Sequence, residues 1–249
     1  MRDYYLFLIF GVLLLAVLGW ALAVFASKNT RGAWDTISQT KGQYRSRKWA
    51  YKERVESVRS YLFPDDDVWP FPGDSSGIHA VRSSDDSTHV QWRAAITDMN
   101  VIGRAGGQCV LFAFQPPIQA DAKTLTVPAL FAYAQADGGY ALDATMDAAS
   151  SPRQNQPYSK AFADEPSVEV IATELLGGEF GAITHEIPGA VAIGVSGETV
   201  CIAIDPEAGQ AYVATEDNTY APLLAPEYIQ VIEDAANLMW RKIPARYWL

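Results

Sequence analysis

The chain has 249 residues, 49% of them hydrophobic and 19% charged, a composition that sustains a sizeable core and excludes global disorder. Its formal net charge is −10, spread unevenly: residues 60–249 hold nine Lys/Arg against 25 Asp/Glu, whereas residues 27–59 hold nine against three. An acidic body repels phosphate backbones, so no nucleic-acid partner is expected.

Tyr5–Ala26, YLFLIFGVLLLAVLGWALAVFA, is 22 residues without a charge. About 20 helical residues cross a bilayer core, so residues 1–27 read as a single transmembrane anchor. The rival is a cleaved signal peptide, whose apolar region is usually about 7–15 residues behind a basic start. Here only MRDYY precedes the run. Arg2, Asp3 and the α-amino group flank it on one side, and Lys28, Arg31, Lys41, Arg45, Arg47 and Lys48 on the other. Positive flanks favour the cytoplasmic side. The expectation is a single-pass protein of the cell membrane with its C-terminal domain cytoplasmic, the extracytoplasmic orientation being the alternative.

Residues 28–62 read as a basic juxtamembrane amphipathic helix. At about 100° per residue, Tyr44, Tyr51, Val55, Val58 and Leu62 fall in one narrow apolar stripe. Arg47 and Arg54 flank it on one side, Lys48, Lys52 and Arg59 on the other. Cations beside an apolar stripe suit a membrane interface. The expected membrane-surface contacts are Arg45, Arg47, Lys48, Tyr51, Lys52, Arg54, Val55 and Arg59, and the expected partners are the lipid bilayer and its anionic lipid headgroups. The rival is an ordinary helix packing Val55, Val58 and Leu62 on the domain.

Residues 63–77, FPDDDVWPFPGDSSG, read as a Pro/Gly/Asp-rich linker. Consecutive Asp65, Asp66 and Asp67 do not match the ligand spacing of a calcium loop. Trp69 and Phe71 are expected contacts for a protein partner. Residues 78–249 then read as an acidic α+β globular domain. THVQWRAAIT alternates at period two through Val90, Trp92, Ala94 and Ile96, and QCVLFAF reads as a buried strand. TLTVPALFAYAQ and GYALDATM flank a turn and read as a hairpin. The polar stretch Asp147–Ser167 reads as a long surface loop, in which Arg153 and Tyr158 are expected partner contacts. VEVIATELL reads as a short helix stopped at Gly177-Gly178. AVAIGV and TVCIAID form a second hairpin, with AYVATE as a third strand. APEYIQVIEDAANLMWRKI reads as a long C-terminal helix, its core face Tyr228, Val231, Ile232, Ala235, Leu238 and Met239. The expected architecture is a transmembrane helix, a basic amphipathic helix, then a mainly antiparallel sheet covered by the short internal and long C-terminal helices.

Catalytic patterns are missing from the sequence. HEIPG at His185 lacks the second histidine of a zinc-protease helix, and GVSGE lacks the closing glycine of a nucleophile elbow. No cofactor and no metal are expected. Cys109 and Cys201 sit in apolar runs and read as buried thiols, or as one disulfide in an exported domain. The expected function is a non-enzymatic, membrane-tethered interaction or scaffold module at the cytoplasmic face. The alternatives are an exported, anchored domain binding a small molecule or envelope component, and a membrane-bound enzyme of unknown class.

Overall fold

A computed structural model describes residues 17–19, 32–64, 74–84, 89–98, 108–117, 127, 130–134, 140–142, 166–196, 198–215 and 220–248. Residues 17–19 are helical, and among the described residues no helix is long and apolar enough to cross a membrane. The rest of the Tyr5–Ala26 run lies outside the described residues, as do Trp69, Phe71, Arg153 and Tyr158.

The protein is α+β. Its helix α1 covers 32–46. Strand β1 (Ala50–Val55) and the short helix α2 (Val58–Leu62) follow, then β2 (Gly77–Arg82), β3 (Gln91–Thr97), β4 (Cys109–Gln115), β5 (Leu130–Ala134) and β6 (Tyr140–Leu142). Helices α3 (Pro166–Gly177) and α4 (Glu179–Glu186) lead into β7 (Ala190–Ser196) and β8 (Thr199–Ile204). A two-stranded ribbon, β9 (Tyr212–Ala214) with β10 (Tyr220–Leu224), precedes the long helix α5 (Pro226–Lys242). Eight strands form one sheet in the order β1-β2-β3-β4-β8-β7-β5-β6, every neighbouring pair antiparallel.

Alternation at period two gives the sheet two faces. One face carries Trp92, Ala94, Ile96, Phe112, Phe114, Ile193 and Ile202, and it packs against Tyr44 of α1, Leu175 of α3, Phe180 of α4 and Ile229, Ile232 and Met239 of α5. The other face carries Ala95, Leu111, Ala113, Cys201 and Ala203, with Val58 and Leu62 of α2 packed on it. Cys109 and Cys201 both belong to this second face and are buried. No disulfide joins Cys109 to Cys201. Cys201 lies opposite Ala113, four residues along β4 from Cys109. That offset is roughly 13 Å at about 3.3 Å per residue, beyond the ~4.4–6.8 Å Cα separation a disulfide tolerates.

The amphipathic helix expected over residues 28–62 is a helix over 32–46 but does not continue: beyond it come a strand and a second short helix, and Tyr44, Trp49, Val55, Val58 and Leu62 of this stretch are buried in the core. The break is at Lys48, which takes a left-handed backbone conformation with φ 58°. The Lys48 N–H donates to the Arg45 carbonyl (3.0 Å) and the Trp49 N–H to the Tyr44 carbonyl (2.9 Å). That pair of bonds is a Schellman ending, and the Tyr44 and Trp49 rings, 5.9 Å apart, supply its usual apolar contact. A glycine normally advertises this turn; here a lysine occupies it. Burial of Tyr44, whose hydroxyl donates to the carbonyl of Leu224 180 residues away, ties α1 to β10. The chain then runs extended along the edge of the sheet as β1.

Three further expectations need correction. Strand β9 pairs with β10 in its own ribbon rather than extending the β7–β8 hairpin. An additional helix, α4, contains His185 and ends before Pro188. On α5, Val231 and Leu238 are exposed, while Ile229 and Ala236 join Tyr228, Ile232 and Met239 in the core. Gly189 between α4 and β7 has φ 80°, and a Cβ there would lie 2.6 Å from the Asp205 carbonyl oxygen. Only glycine fits that close approach.

Candidate functional site

The cations of the first sixty residues separate in the folded chain. Arg47 is exposed but tied to the domain: its Nη1 donates to Gln230 Oε1 (3.0 Å) and to the Pro226 carbonyl (3.3 Å) at the start of α5, and its guanidinium lies 4.9 Å from the Trp49 ring centre. Arg45 and Lys48 are exposed at the end of α1. Tyr51 is half-buried, hydrogen-bonded at 2.8 Å to His79 Nδ1, with Lys41 Nζ 4.9 Å from its ring centre. Burial pushes the Tyr51 phenol up to about 12, with the charge of Glu53 adding to it. Val55 is buried among Val58, Leu62 and Ala95, so it is a core residue and not a surface contact. Arg59 lies on α2, its backbone N–H donating to Asp74 Oδ1 at 3.1 Å.

Lys52 and Arg54 behave differently. Both are exposed, and both line a cleft of about 630 Å³ between β1, β2, β3 and α2. Arg82 from β2 and Arg93 from β3 complete its cationic wall, while Ser57, Ser60, Tyr61 and one acid, Glu56, line the rest. Strand pairing makes the cluster: Arg82 stands directly opposite Arg93 across the β2–β3 ladder. An extra residue in β2 between Ile78 and Val81, where His79 has φ 49°, shifts the register so that these two positions meet. Burial lowers the His79 imidazole below its ordinary value, and the Lys41 charge adds to that.

Arg93 is held by the helix it faces. Its Nη1 donates to the Tyr61 carbonyl at 2.9 Å, and both residues line the cleft. Tyr61 is a neutral phenol: burial pushes it up to about 12, against the pull of Arg93 and Arg82. Lys52 Nζ lies 5.9 Å from its ring centre. A second, much smaller cavity of about 20 Å³ shares Arg82 and Arg93 as lining residues, together with Ser83, Gln91, Gln115 and Thr199. Gln115 Nε2 donates to Thr199 Oγ1 there at 3.0 Å. A volume of that size accommodates about one water or hydroxyl.

Of the residues expected at the membrane surface, the fold brings Lys52 and Arg54 into one site and adds Arg82 and Arg93, which the charge count alone did not single out. Their signal was in the strand pattern: Gln91, Arg93 and Ala95 share the face opposite Trp92, Ala94 and Ile96. Among the described residues no group of three or more His, Cys, Asp or Glu could hold a metal ion. What the cleft offers chemically is a set of cationic and hydroxyl donors with one acid, Glu56, among them, a balance that favours an anion. No protein-family model, curated protein or solved structure matches the chain.

Proposed function

We propose that the chain is a single-pass, membrane-anchored binding module whose basic cleft engages anionic headgroups of the bilayer that holds it. The observation that carries this reading is the gathering of Lys52, Arg54, Arg82 and Arg93 around one cleft in a chain of net charge −10. The apolar run ends at Ala26, six residues before the first described residue of α1, and six residues reach at most about 20 Å at ~3.3–3.6 Å per residue. Val17 and Leu18 are exposed helical residues within that run, and Trp34 near the start of α1 is 67% exposed. An unburied tryptophan just beyond an apolar span suits the headgroup layer. Each cation near an anionic leaflet contributes on the order of 1 kcal/mol, and tethering makes weak binding sufficient.

The test uses the full chain in nanodiscs carrying a fluorophore at Ala50→Cys, an exposed β1 position opposite Arg82, with a headgroup-linked quencher in the lipid. Quenching that rises when neutral discs are given anionic lipid, and falls at high salt and in the Lys52→Ala/Arg54→Ala double variant, supports the reading. Quenching that is indifferent to lipid charge refutes it.

A second reading is an exported, anchored domain that binds a small molecule. The cleft's ~630 Å³ lies in the range of about 300–1,000 Å³ typical of small-ligand sites. Labelling of Ala50→Cys by a membrane-impermeant thiol reagent in intact cells would select it; protection until lysis would select the cytoplasmic orientation.

A further inference from the structure

The eight-stranded sheet ends in β1 on one side and β6 on the other. Strand β6 is three residues long; β1 is six, about 20 Å of extended backbone. It pairs with β2 in one unbroken register, from Ala50 opposite Arg82 to Val55 opposite Gly77. In an antiparallel ladder every second residue turns its N–H and C=O away from the partner strand. Among the described residues, no backbone hydrogen bond reaches those outward groups of β1. Unpaired edge groups are a template for another strand unless something guards them, and β1 contains neither proline nor bulge.

What guards the edge is charge, and the charge is selective. Lys52 and Arg54 are exposed on the cleft side of β1, and Tyr51 and Glu53 alternate with them toward the other face. Glu53 is held by Lys41, Oε1 to Nζ 3.0 Å. Among the described residues neither Lys52 nor Arg54 is ion-paired. Two copies joined antiparallel through β1 are related by a twofold axis perpendicular to the sheet, which keeps each face on its own side. In the two registers of greatest overlap Lys52 then stands opposite a second Lys52 or an Arg54, a like-charge pair that opposes association. A strand with acids at alternate positions meets no such barrier. Beside β1 its cleft-side residues lie about 4.5–5.5 Å from those of Lys52 and Arg54, Cβ to Cβ. Main-chain pairing supplies affinity in such additions, and alternate side chains received by a pocket supply specificity.

We infer that the outer edge of β1 docks an extended, acidic segment of a partner protein, which joins the sheet as a further strand with its acids toward Lys52 and Arg54. The inference stands apart from the headgroup reading, because it uses the outward backbone groups of β1 and headgroup binding does not.

The test uses the full chain in neutral nanodiscs, so that lipid charge does not compete, and a fluorescent peptide, Val-Thr-Glu-Thr-Glu-Thr-Val, followed by anisotropy. The peptide reads the same in both directions and carries both acids on one face. Saturable binding is expected. Lysine in place of both glutamates should weaken it by about tenfold or more, and Lys52→Glu/Arg54→Glu, at two exposed positions, should reverse the preference between the two peptides. N-methylation separates strand addition from simple attraction and needs no variant. Methylating the Glu nitrogens or the Thr nitrogens blocks alternate sets of donors; one set should weaken binding by about tenfold or more and the other by less than about twofold. Equal effects of the two sets would overturn strand addition and leave the headgroup reading standing. No binding of the glutamate peptide would overturn the inference, again without bearing on headgroup quenching. A dimer of the full chain in detergent that the peptide disperses would assign the edge to a second copy and overturn the acidic partner.

Discussion

Lys48→Gly gives opposite signs for two structures of the same segment. In the fold described above, Lys48 closes α1 with φ 58°. A residue with a Cβ in that region costs roughly 1–2 kcal/mol, and glycine removes the cost while losing about 0.5–1 kcal/mol of backbone entropy. The net expectation is stabilisation by about 0.5–1 kcal/mol. In a chain of this size about 1 kcal/mol moves Tm by roughly 2–4 °C, so the midpoint should rise by about 1–4 °C. Were 44–62 one continuous amphipathic helix, glycine at its interior would cost about 1 kcal/mol and the midpoint would fall by a similar margin. The Lys48 side chain is exposed, so loss of packing does not blur the sign. Thermal unfolding of the full chain in detergent micelles, followed by tryptophan fluorescence and near-UV circular dichroism, reads the shift. A lowered midpoint with unchanged cooperativity would refute the Schellman ending, and with it the placement of β1.

Tyr44→Phe should destabilise by about 1–3 kcal/mol, because it leaves the buried Leu224 carbonyl without its donor; a midpoint within error of the parent in urea would show that α1 is not docked on β10. Ile232→Ala should cost about 2–5 kcal/mol and Leu238→Ala under about 1 kcal/mol, since Ile232 is buried and Leu238 is 50% exposed; equal losses by denaturant titration would contradict the rotation of α5. His79 sits below its ordinary value of 6.5 through burial and the Lys41 charge. As pH falls the unfolded chain therefore takes up the proton first, and stability present above the unfolded value is lost on acidification through it. Urea midpoints should drop between about pH 7.5 and 5.5 more steeply in the parent than in His79→Gln, and parallel slopes would count against that environment.

Strands and hairpins whose pattern was local were readable from the residues alone. Val90, Trp92, Ala94 and Ile96 alternate, and all four are buried on one face. The two hairpins β5–β6 and β7–β8 pair as their turns suggest. The segment 44–62 misled because its apolar residues satisfy a helical period by a different route. Val55, Val58 and Leu62 do pack together, but across a strand-to-helix corner. Tyr44 and Tyr51 face the opposite side of the sheet. The one residue that separates the two geometries, Lys48, carries no local mark of a left-handed turn. On α5, two apolar residues point to solvent, and no periodicity argument distinguishes an exposed valine from a buried one when both fit the stripe.

The site divides in the same way, and the division bears on what the cleft is for. Lys52 and Arg54 lie on β1, the edge of the sheet. Charged side chains on an edge strand discourage pairing with a second sheet, so those two cations have a structural explanation that needs no ligand. Arg82 and Arg93 lie further in. Strand β2 is paired on both sides, by β1 and β3, and β3 is paired on both sides, by β2 and β4; neither is an edge to protect. Arg93 has a structural part of its own, since its bond to the Tyr61 carbonyl fastens α2 to the sheet. The edge cations therefore extend a basic wall that begins on the inner strands, and only at the edge is that wall open to a surface the size of a bilayer.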